Sequence, residues 1–207
     1  AKSIVDMLSH PEWMLNVIGR YLTSNGMPEH INYPAKYRDK FTGKKSQDKA
    51  LRADMVSWAD VDKLREIWPG KLVIKGIMRA DDARRALDHG ADGIVVSNHG
   101  GRNMDSAPAT LQVLPGIAQA VGDRTTVFVD SGVRRGSDIV KCLALGANAV
   151  LTGRATLYGI GAGGEAGALK ALSILKDEMR RTMAYIGKQR VADINGDGRD
   201  ECIFTMG

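Results

Sequence analysis

The sequence predicts an α/β fold built from four repeated strand–helix units, which is half of a (β/α)₈ barrel. Three observations carry this. Four short apolar runs recur, each followed by a segment of helical periodicity. The runs are continuously apolar instead of alternating, the pattern of parallel strands covered by helices on both faces. Each run ends in polar residues or glycine: Lys75-Gly76, Ser97-Asn98-His99, Asp130-Ser131-Gly132 and Gly153-Arg154. In barrels and open α/β sheets alike, the C-terminal strand ends carry the chemistry. A whole barrel takes about 250 residues, and four strands cannot close around a filled interior. The chain is therefore expected to pair with another half, to form an open sheet, or to leave apolar strand surface uncovered.

The elements follow in order. Residues 1–50 hold one helix-like patch, Trp13–Leu22. A loop with Asn25-Gly26, Pro28, Pro34 and Gly43 comes next, with a basic stretch between Lys36 and Lys45 and no expected strand. Ser57-x-x-Asp60 reads as a capping box opening a helix Trp58–Trp68, which Pro69-Gly70 ends. Leu72–Gly76 is the first strand, and a helix over 80–89 stops at Gly90. Gly93–Ser97 is the second strand, followed by a helix over 109–121. Thr126–Asp130 is the third, and its helix, 137–145, ends at Gly146. Ala149–Thr152 is the fourth, and a long amphipathic helix over about 165–186 closes the unit.

Composition narrows the partners without choosing one. Hydrophobic residues are 43% of 207, ordinary for a soluble globular chain. A net charge of +5 suits an acidic small substrate, a phosphate cofactor or an anionic surface, and solvated surface Lys and Arg account for it equally well. Cys142 and Cys202 form neither a metal spacing nor a disulfide framework, so a reducing cytoplasm is the expected compartment. No apolar run approaches the roughly 18 residues that span a bilayer. No signal-peptide pattern is present. The chain opens at Ala1-Lys2-Ser3, as a processed chain or a piece of a longer one would. No nucleic-acid partner is expected.

Four motifs sit at the strand ends. In Ser97-Asn-His99-Gly-Gly-Arg102 a histidine follows a buried strand, two glycines let backbone approach a ligand, and Arg102 offers a planar fork suited to a carboxylate. A proton-accepting His beside a carboxylate-binding Arg is what chemistry on a 2-hydroxy acid needs. The same six residues also fit a turn with a capping His and a solvated Arg. In Asp130-Ser-Gly132-Val-Arg134-Arg135-Gly136-Ser137 a strand leads through a glycine loop into a helix, so loop amides and helix N-terminus form an anion site with Arg134 or Arg135 beside it. An ordinary connection with surface arginines is the alternative. Gly153-Arg154 follows the next strand, and basic loops on successive strand ends hold phosphate together in barrels. Lys75 lies in an apolar strand, where an ammonium needs a partner. A cation there stabilises a reduced flavin ring. A Schiff-base lysine and a lysine reaching solvent remain open.

Together these residues resemble the FMN-dependent α-hydroxy-acid dehydrogenase/oxidase family, which includes glycolate oxidase, L-lactate dehydrogenase and (S)-mandelate dehydrogenase. The resemblance runs through Leu72-Val-Ile-Lys-Gly76, Gly90-Ala-Asp-Gly-Ile-Val-Val-Ser-Asn-His-Gly-Gly-Arg102, Asp130-Ser-Gly-Val-Arg-Arg-Gly-Ser-Asp138 and Gly153-Arg-Ala-Thr-Leu-Tyr-Gly159, within residues 55–190. The stretch Asp130–Gly159 looks most like the mandelate dehydrogenase branch. The resemblance implies the C-terminal half of a TIM barrel, strands five to eight. Residues 1–50 become the variable connection before strand five, 51–190 an FMN-binding half-barrel, and 191–207 a polar tail. It implies that Lys75 contacts flavin N1 and O2, that His99 takes the substrate proton, and that Arg102 binds the substrate carboxylate. Asp130, Gly132, Arg134, Gly153 and Arg154 would hold the ribityl chain and phosphate of FMN, with Ser97 at the same mouth. The implied reaction oxidises an (S)-2-hydroxy acid to the 2-oxo acid. The electron acceptor (oxygen, quinone or cytochrome) is unspecified, and a homo-oligomer is expected.

Two departures bear on activity. Where the family usually has Gln-Leu-Asp after His-Gly-Gly-Arg, this chain has Asn103-Met104-Asp105. The N-terminal half of the family, with its further FMN contacts, substrate tyrosines, second arginine and the aspartate that pairs with the histidine, has no matching motif here. The chain alone is expected to bind FMN weakly and to turn over poorly. Two alternatives stay open: a non-catalytic half-barrel binding FMN or phosphate, and another FMN-dependent barrel oxidoreductase. In some relatives the variable connection contacts the membrane. Trp13, Met14, Val17, Ile18, Tyr21 and Leu22 suit an interface, placing the protein peripherally at a membrane, and equally suit packing on their own barrel. In the tail, Asp193, Asn195, Asp197 and Glu201 have the spacing of a partial calcium loop, although Phe204 stands where an EF-hand needs Glu.

Overall fold

In the computed structural model, residues 2–24, 26 and 56–194 are described. The chain divides into two compact units, Ala1–Met55 and Val56–Gly207. In the first unit, α1 (Lys2–Leu8) has no counterpart in the sequence expectations. The expected patch then forms α2 (Pro11–Trp13), a π-helical stretch Met14–Gly19 and α3 (Arg20–Thr23). Pro11 opens it, where a missing N–H costs nothing. No residue from Pro11 to Thr23 is buried, and Leu15, Tyr21 and Leu22 are exposed.

The second unit alternates strand and helix. The elements are α4 (Trp58–Ile67), β1 (Val73–Ile77), α5 (Ala80–Asp88), β2 (Gly93–Val96), α6 (Thr110–Val121), β3 (Thr126–Val129), α7 (Gly136–Ala144), β4 (Ala149–Val150) and α8 (Arg154–Tyr185). All four strands are parallel, in the order β1-β2-β3-β4. The local rules are visible. Asp60 accepts from the Ser57 amide at 3.0 Å and from its hydroxyl at 2.7 Å, fixing the start of α4. In α6, Leu114, Ile117, Ala118 and Val121 recur at helical spacing and are all buried. Ala83 and Ala86 of α5 have no exposed surface, which lets that helix sit close on the sheet.

One expectation needs correction. The strands are not all covered on both faces. Ile74, Ile94, Val96, Val127, Val129 and Val150 belong to the core shared with the helices. In-register neighbours of a parallel sheet point the same way. The opposite face therefore carries the rows Val73–Gly93–Thr126 and Lys75–Val95–Phe128–Ala149. Only β2 is wholly buried, whereas Val73 and Thr126 are exposed and Phe128 and Ala149 half-buried. Among the described residues, helices thus cover one face of the sheet, and the other keeps Val95 buried but leaves Val73 and Thr126 exposed.

The N-terminal strand ends are held by Asp92. It accepts from Arg65 at 3.0 Å, Lys71 at 2.7 Å and the Leu72 amide at 3.0 Å, and the Lys71 and Leu72 hydrogen bonds bring its pKa down to about 2. At the far end of the unit, α8 starts eleven residues earlier than the sequence suggests and is broken at Gly163–Gly164. Gly164 adopts φ 58° and ψ −139°, a combination essentially confined to glycine. The two arms cross where Gly159 and Gly167 face each other, backbone to backbone. The second arm packs on α7 through Val140, Leu143, Ala144 and Met183.

Candidate active site

The C-terminal strand ends form one mouth. β1 carries a bulge between Lys75 and Ile77, and Gly76 takes the extra residue at φ 103°. A Cβ there would lie 3.1 Å from His99 Cε1, so the imidazole sits in space that only glycine leaves free. After β2 the chain turns through His99 (φ 57°), Gly100 and Gly101, a short 3₁₀ turn. His99 and Ser131 (φ 76°) are non-glycine residues in the left-handed region, and such strain gathers at functional sites.

Lys75 reaches across two strands. Its Nζ donates to Ser97 Oγ at 2.6 Å and pairs with Asp130 Oδ2 at 2.7 Å. Ser97 Oγ also accepts from the His99 amide at 3.2 Å. Asp130 Oδ1 accepts from Ser131 Oγ at 2.7 Å, and the Asp130 carbonyl accepts from Thr110 Oγ1 at 2.9 Å. Burial pushes the Asp130 carboxyl up, but hydrogen bonds from Lys75, Ser97 and Ser131 outweigh this and hold its pKa below the ordinary value. The turn after β2 is pinned by both neighbouring loops. Gly100 N donates to Ser131 Oγ at 3.0 Å, and Arg154 Nη2 donates to the Gly100 carbonyl at 2.9 Å. Arg102 Nε donates to the His99 carbonyl at 3.3 Å.

These groups line a cleft of about 760 Å³. Eight of the residues singled out from the sequence are on its wall: Lys75, His99, Arg102, Asp130, Gly132, Arg134, Gly153 and Arg154. Ser97 is not. Its side chain lies beneath the wall at 1% exposure, engaged with Lys75 and the His99 amide. The further wall residues include three to which the sequence pattern gave no role. Ser131 is a loop hydroxyl, Leu151 the residue just past β4, and Tyr158 lies one helical turn beyond Arg154. Tyr158 lies within the Gly153–Gly159 stretch that carries the family resemblance, at i+4 from Arg154.

The anion cradle is built differently from the sequence expectation. The amides of Arg134 and Arg135 both donate to Asp138 Oδ2 at 3.0 Å, and Gly136 N donates to Glu178 Oε2 at 2.9 Å. Glu178 also binds Arg135 at 2.8 and 3.0 Å. The N-terminus of α7 is thus capped by the chain's own carboxylates, and Arg135 is turned to the α8 side. What faces the cleft is the Arg134 and Arg154 side of it, with open backbone at Gly132 and Gly153, where an added Cβ would meet nothing within 4 Å. A cation at one part of the wall, two arginines at another, and Leu151 and Tyr158 between polar groups form a donor set that fits a flavin phosphate.

Of the tail's calcium candidates, Asp193 alone falls among the described residues. Asp193 donates no free carboxylate to a metal loop: its oxygens accept from Arg190 at 2.8 and 3.0 Å. Asn195, Asp197 and Glu201 lie outside the described residues. Among the described residues no group of three His, Cys, Asp or Glu is placed to hold a metal.

The chain matches the FMN-dependent dehydrogenase family over residues 1–200. It is 40% identical over 200 residues to an L-lactate dehydrogenase of Yersinia pestis (strain Pestoides F), which covers 95% of this chain and 51% of that protein. The chain therefore spans about half the length of the curated relatives it matches. A soluble mutant of the membrane-associated (S)-mandelate dehydrogenase from Pseudomonas putida superposes with a TM-score of 0.64 at 48% identity, over 67% of this chain and 39% of that one. The monotopic membrane protein (S)-mandelate dehydrogenase superposes with a TM-score of 0.79 at 40% identity, over 94% of this chain and 50% of that one.

Proposed function

The chain belongs to the FMN-dependent dehydrogenase family, and from that premise we propose that it is the C-terminal, cofactor-holding half of a (β/α)₈ enzyme that oxidises an (S)-2-hydroxy acid to the 2-oxo acid. The observation that carries this is the convergence of Lys75, His99, Arg102, Asp130, Arg134 and Arg154 on one cleft at the strand ends. The strand face that presents exposed Val73 and half-buried Phe128 and Ala149, away from the helices that are described, supports the half-barrel reading, because a barrel interior is filled from all its strands. Lactate and mandelate are the substrate types that the relatives' names suggest.

Bound FMN supplies the two-electron acceptor for this chemistry. The chain's residues do the rest. Arg134 and Arg154 neutralise the cofactor phosphate, and the glycine backbone at 132 and 153 lets it come close. Lys75 holds positive charge where the ring gains electron density. Arg102 orients the substrate through its carboxylate, keeping its guanidinium end groups for that fork. An imidazole nitrogen of His99 takes the proton from the substrate.

Spectroscopic titration tests the proposal. The chain is expected to bind added FMN and give a flavin spectrum, and the complementary N-terminal half to tighten that binding and bring turnover of a 2-hydroxy acid. Arg134→Ala should raise the FMN Kd by about tenfold to a hundredfold, the loss of one charge-assisted phosphate contact. An absence of FMN binding both alone and with the complementary half would overturn the reading in favour of a non-catalytic fragment.

Residues 1–45 are proposed to contact a membrane surface. Among the described residues no helix is long and apolar enough to cross a membrane. Exposed Trp13, Leu15, Tyr21 and Leu22 suit an interfacial helix instead. The relative described as monotopic aligns with more of this chain than the soluble mutant does. Deletion of residues 1–45 is expected to abolish co-flotation with anionic lipid vesicles. Undiminished flotation of the shortened chain would remove the idea.

A further inference from the structure

We infer that Asp130 is a positioning residue for Lys75: its carboxylate, together with the buried Ser97 hydroxyl, anchors the ammonium across three strand ends and so fixes where the site's cation sits. The inference rests on the reading of this cleft as a flavin site. It goes further by giving Asp130 a partner in the protein in addition to the cofactor.

The geometry is specific. Lys75 leaves β1, passes Ser97 at the end of β2 at 2.6 Å, and meets Asp130 at the end of β3 at 2.7 Å. A lysine side chain has four rotatable bonds and loses considerable rotamer entropy when held. Exposed single pairs rarely hold one. Here the acceptors are themselves fixed. Asp130 is 19% exposed, and its second oxygen is bound by Ser131 while its backbone carbonyl is bound by Thr110. Ser97 is 1% exposed and also takes the His99 amide. Lys75 itself remains 45% exposed toward the cleft, so it is anchored without being covered. One buried hydroxyl thereby links the cation to the turn that carries His99. Without Asp130 the ammonium has open solvent on one side and one neutral hydroxyl on the other, and it is expected to leave the site for water.

Two measurements test this. The first uses the cofactor-free chain. Acylation of Lys75 by an amine-reactive ester, followed by mass spectrometry with Lys141 as internal reference, should be several-fold faster in Asp130→Ala than in the wild-type chain. Ser97→Ala should show a smaller change in the same direction. An unchanged Lys75 rate in Asp130→Ala overturns the inference. The second uses the flavin-loaded protein and reads the midpoint potential in a double-substitution cycle. Asp130→Ala should shift the potential in the wild-type background and shift it little in Lys75→Met, because the effect runs through the lysine. A full-size shift in Lys75→Met would show that Asp130 acts on the ring directly, and would overturn the inference. If the chain takes up no FMN, the functional reading falls while the labelling result still decides the Asp130–Lys75 link.

Discussion

Replacing His99 by Ala should lower kcat/KM for the 2-hydroxy acid by about a thousandfold in the assembled, flavin-loaded enzyme, within the range a lost general base produces. FMN affinity should change little, since the proposed phosphate-binding residues, Arg134 and Arg154, follow other strands. The size of the effect follows from placement. His99 stands in a strained left-handed conformation directly after a buried strand. Its turn is tied to the β3 loop through Ser131 and to the start of α8 through Arg154. Its ring occupies the space above Gly76. A side chain held from three sides has little freedom to be replaced by water in a productive position. The measurement is anaerobic flavin reduction by substrate in a stopped-flow instrument. Reduction at the wild-type rate in the variant would exclude His99 as the proton acceptor, leaving its strain without a catalytic reason.

Gly136→Ala should be among the most damaging small substitutions in the described part of the second unit, costing about 3–4 kcal/mol of stability or preventing folding. Gly136 opens α7 and is buried. A Cβ on it would lie 2.6 Å from the Glu178 carbonyl carbon and collide with the backbone of Leu175 and Met179. Backbone cannot rotate away as a side chain can, so α8 would have to retreat. That movement would also break the Gly136–Glu178 hydrogen bond and loosen the Arg135 pair on the same carboxylate. The contact between Val140, Leu143, Ala144 and Met183 would open with it. Urea unfolding followed by circular dichroism checks this. A loss below about 1 kcal/mol, the ordinary size of a mild substitution, would mean that α7 and α8 do not meet as described.

Much of this molecule was legible before any coordinates. The four strands fall within a residue or two of their expected places, because a short apolar run bounded by Pro, Gly and polar residues is a local signal. Trp58–Ile67 starts where Ser57 and Asp60 announce it, since a capping box is complete within four residues. The arm of α8 after Gly163–Gly164 matches the amphipathic helix expected over about 165–186, but the arm preceding it was not expected, because its glycine-rich sequence lacks an apolar stripe. Lys75, His99, Arg102, Asp130, Arg134 and Arg154 were each placed at a strand end, and the parallel sheet brings all of them to the same side.

The sequence by itself determined the order of strands and helices, the parallel sheet that follows from it, and the chemical inventory at the strand ends. These depend on periodicity and punctuation within about ten residues. The tertiary structure decided which groups meet. Only strand register lets Lys75 reach Asp130, 55 positions later, over the hydroxyl of Ser97. Only the packing of α8 on α7 assigns Glu178 to the Gly136 amide and turns Arg135 away from the cleft. Only the layer arrangement shows that the described helices pack on one face of the sheet while Val73 on the other stays exposed. Pairings between distant residues arise from geometry accumulated over whole elements, and no local pattern encodes them.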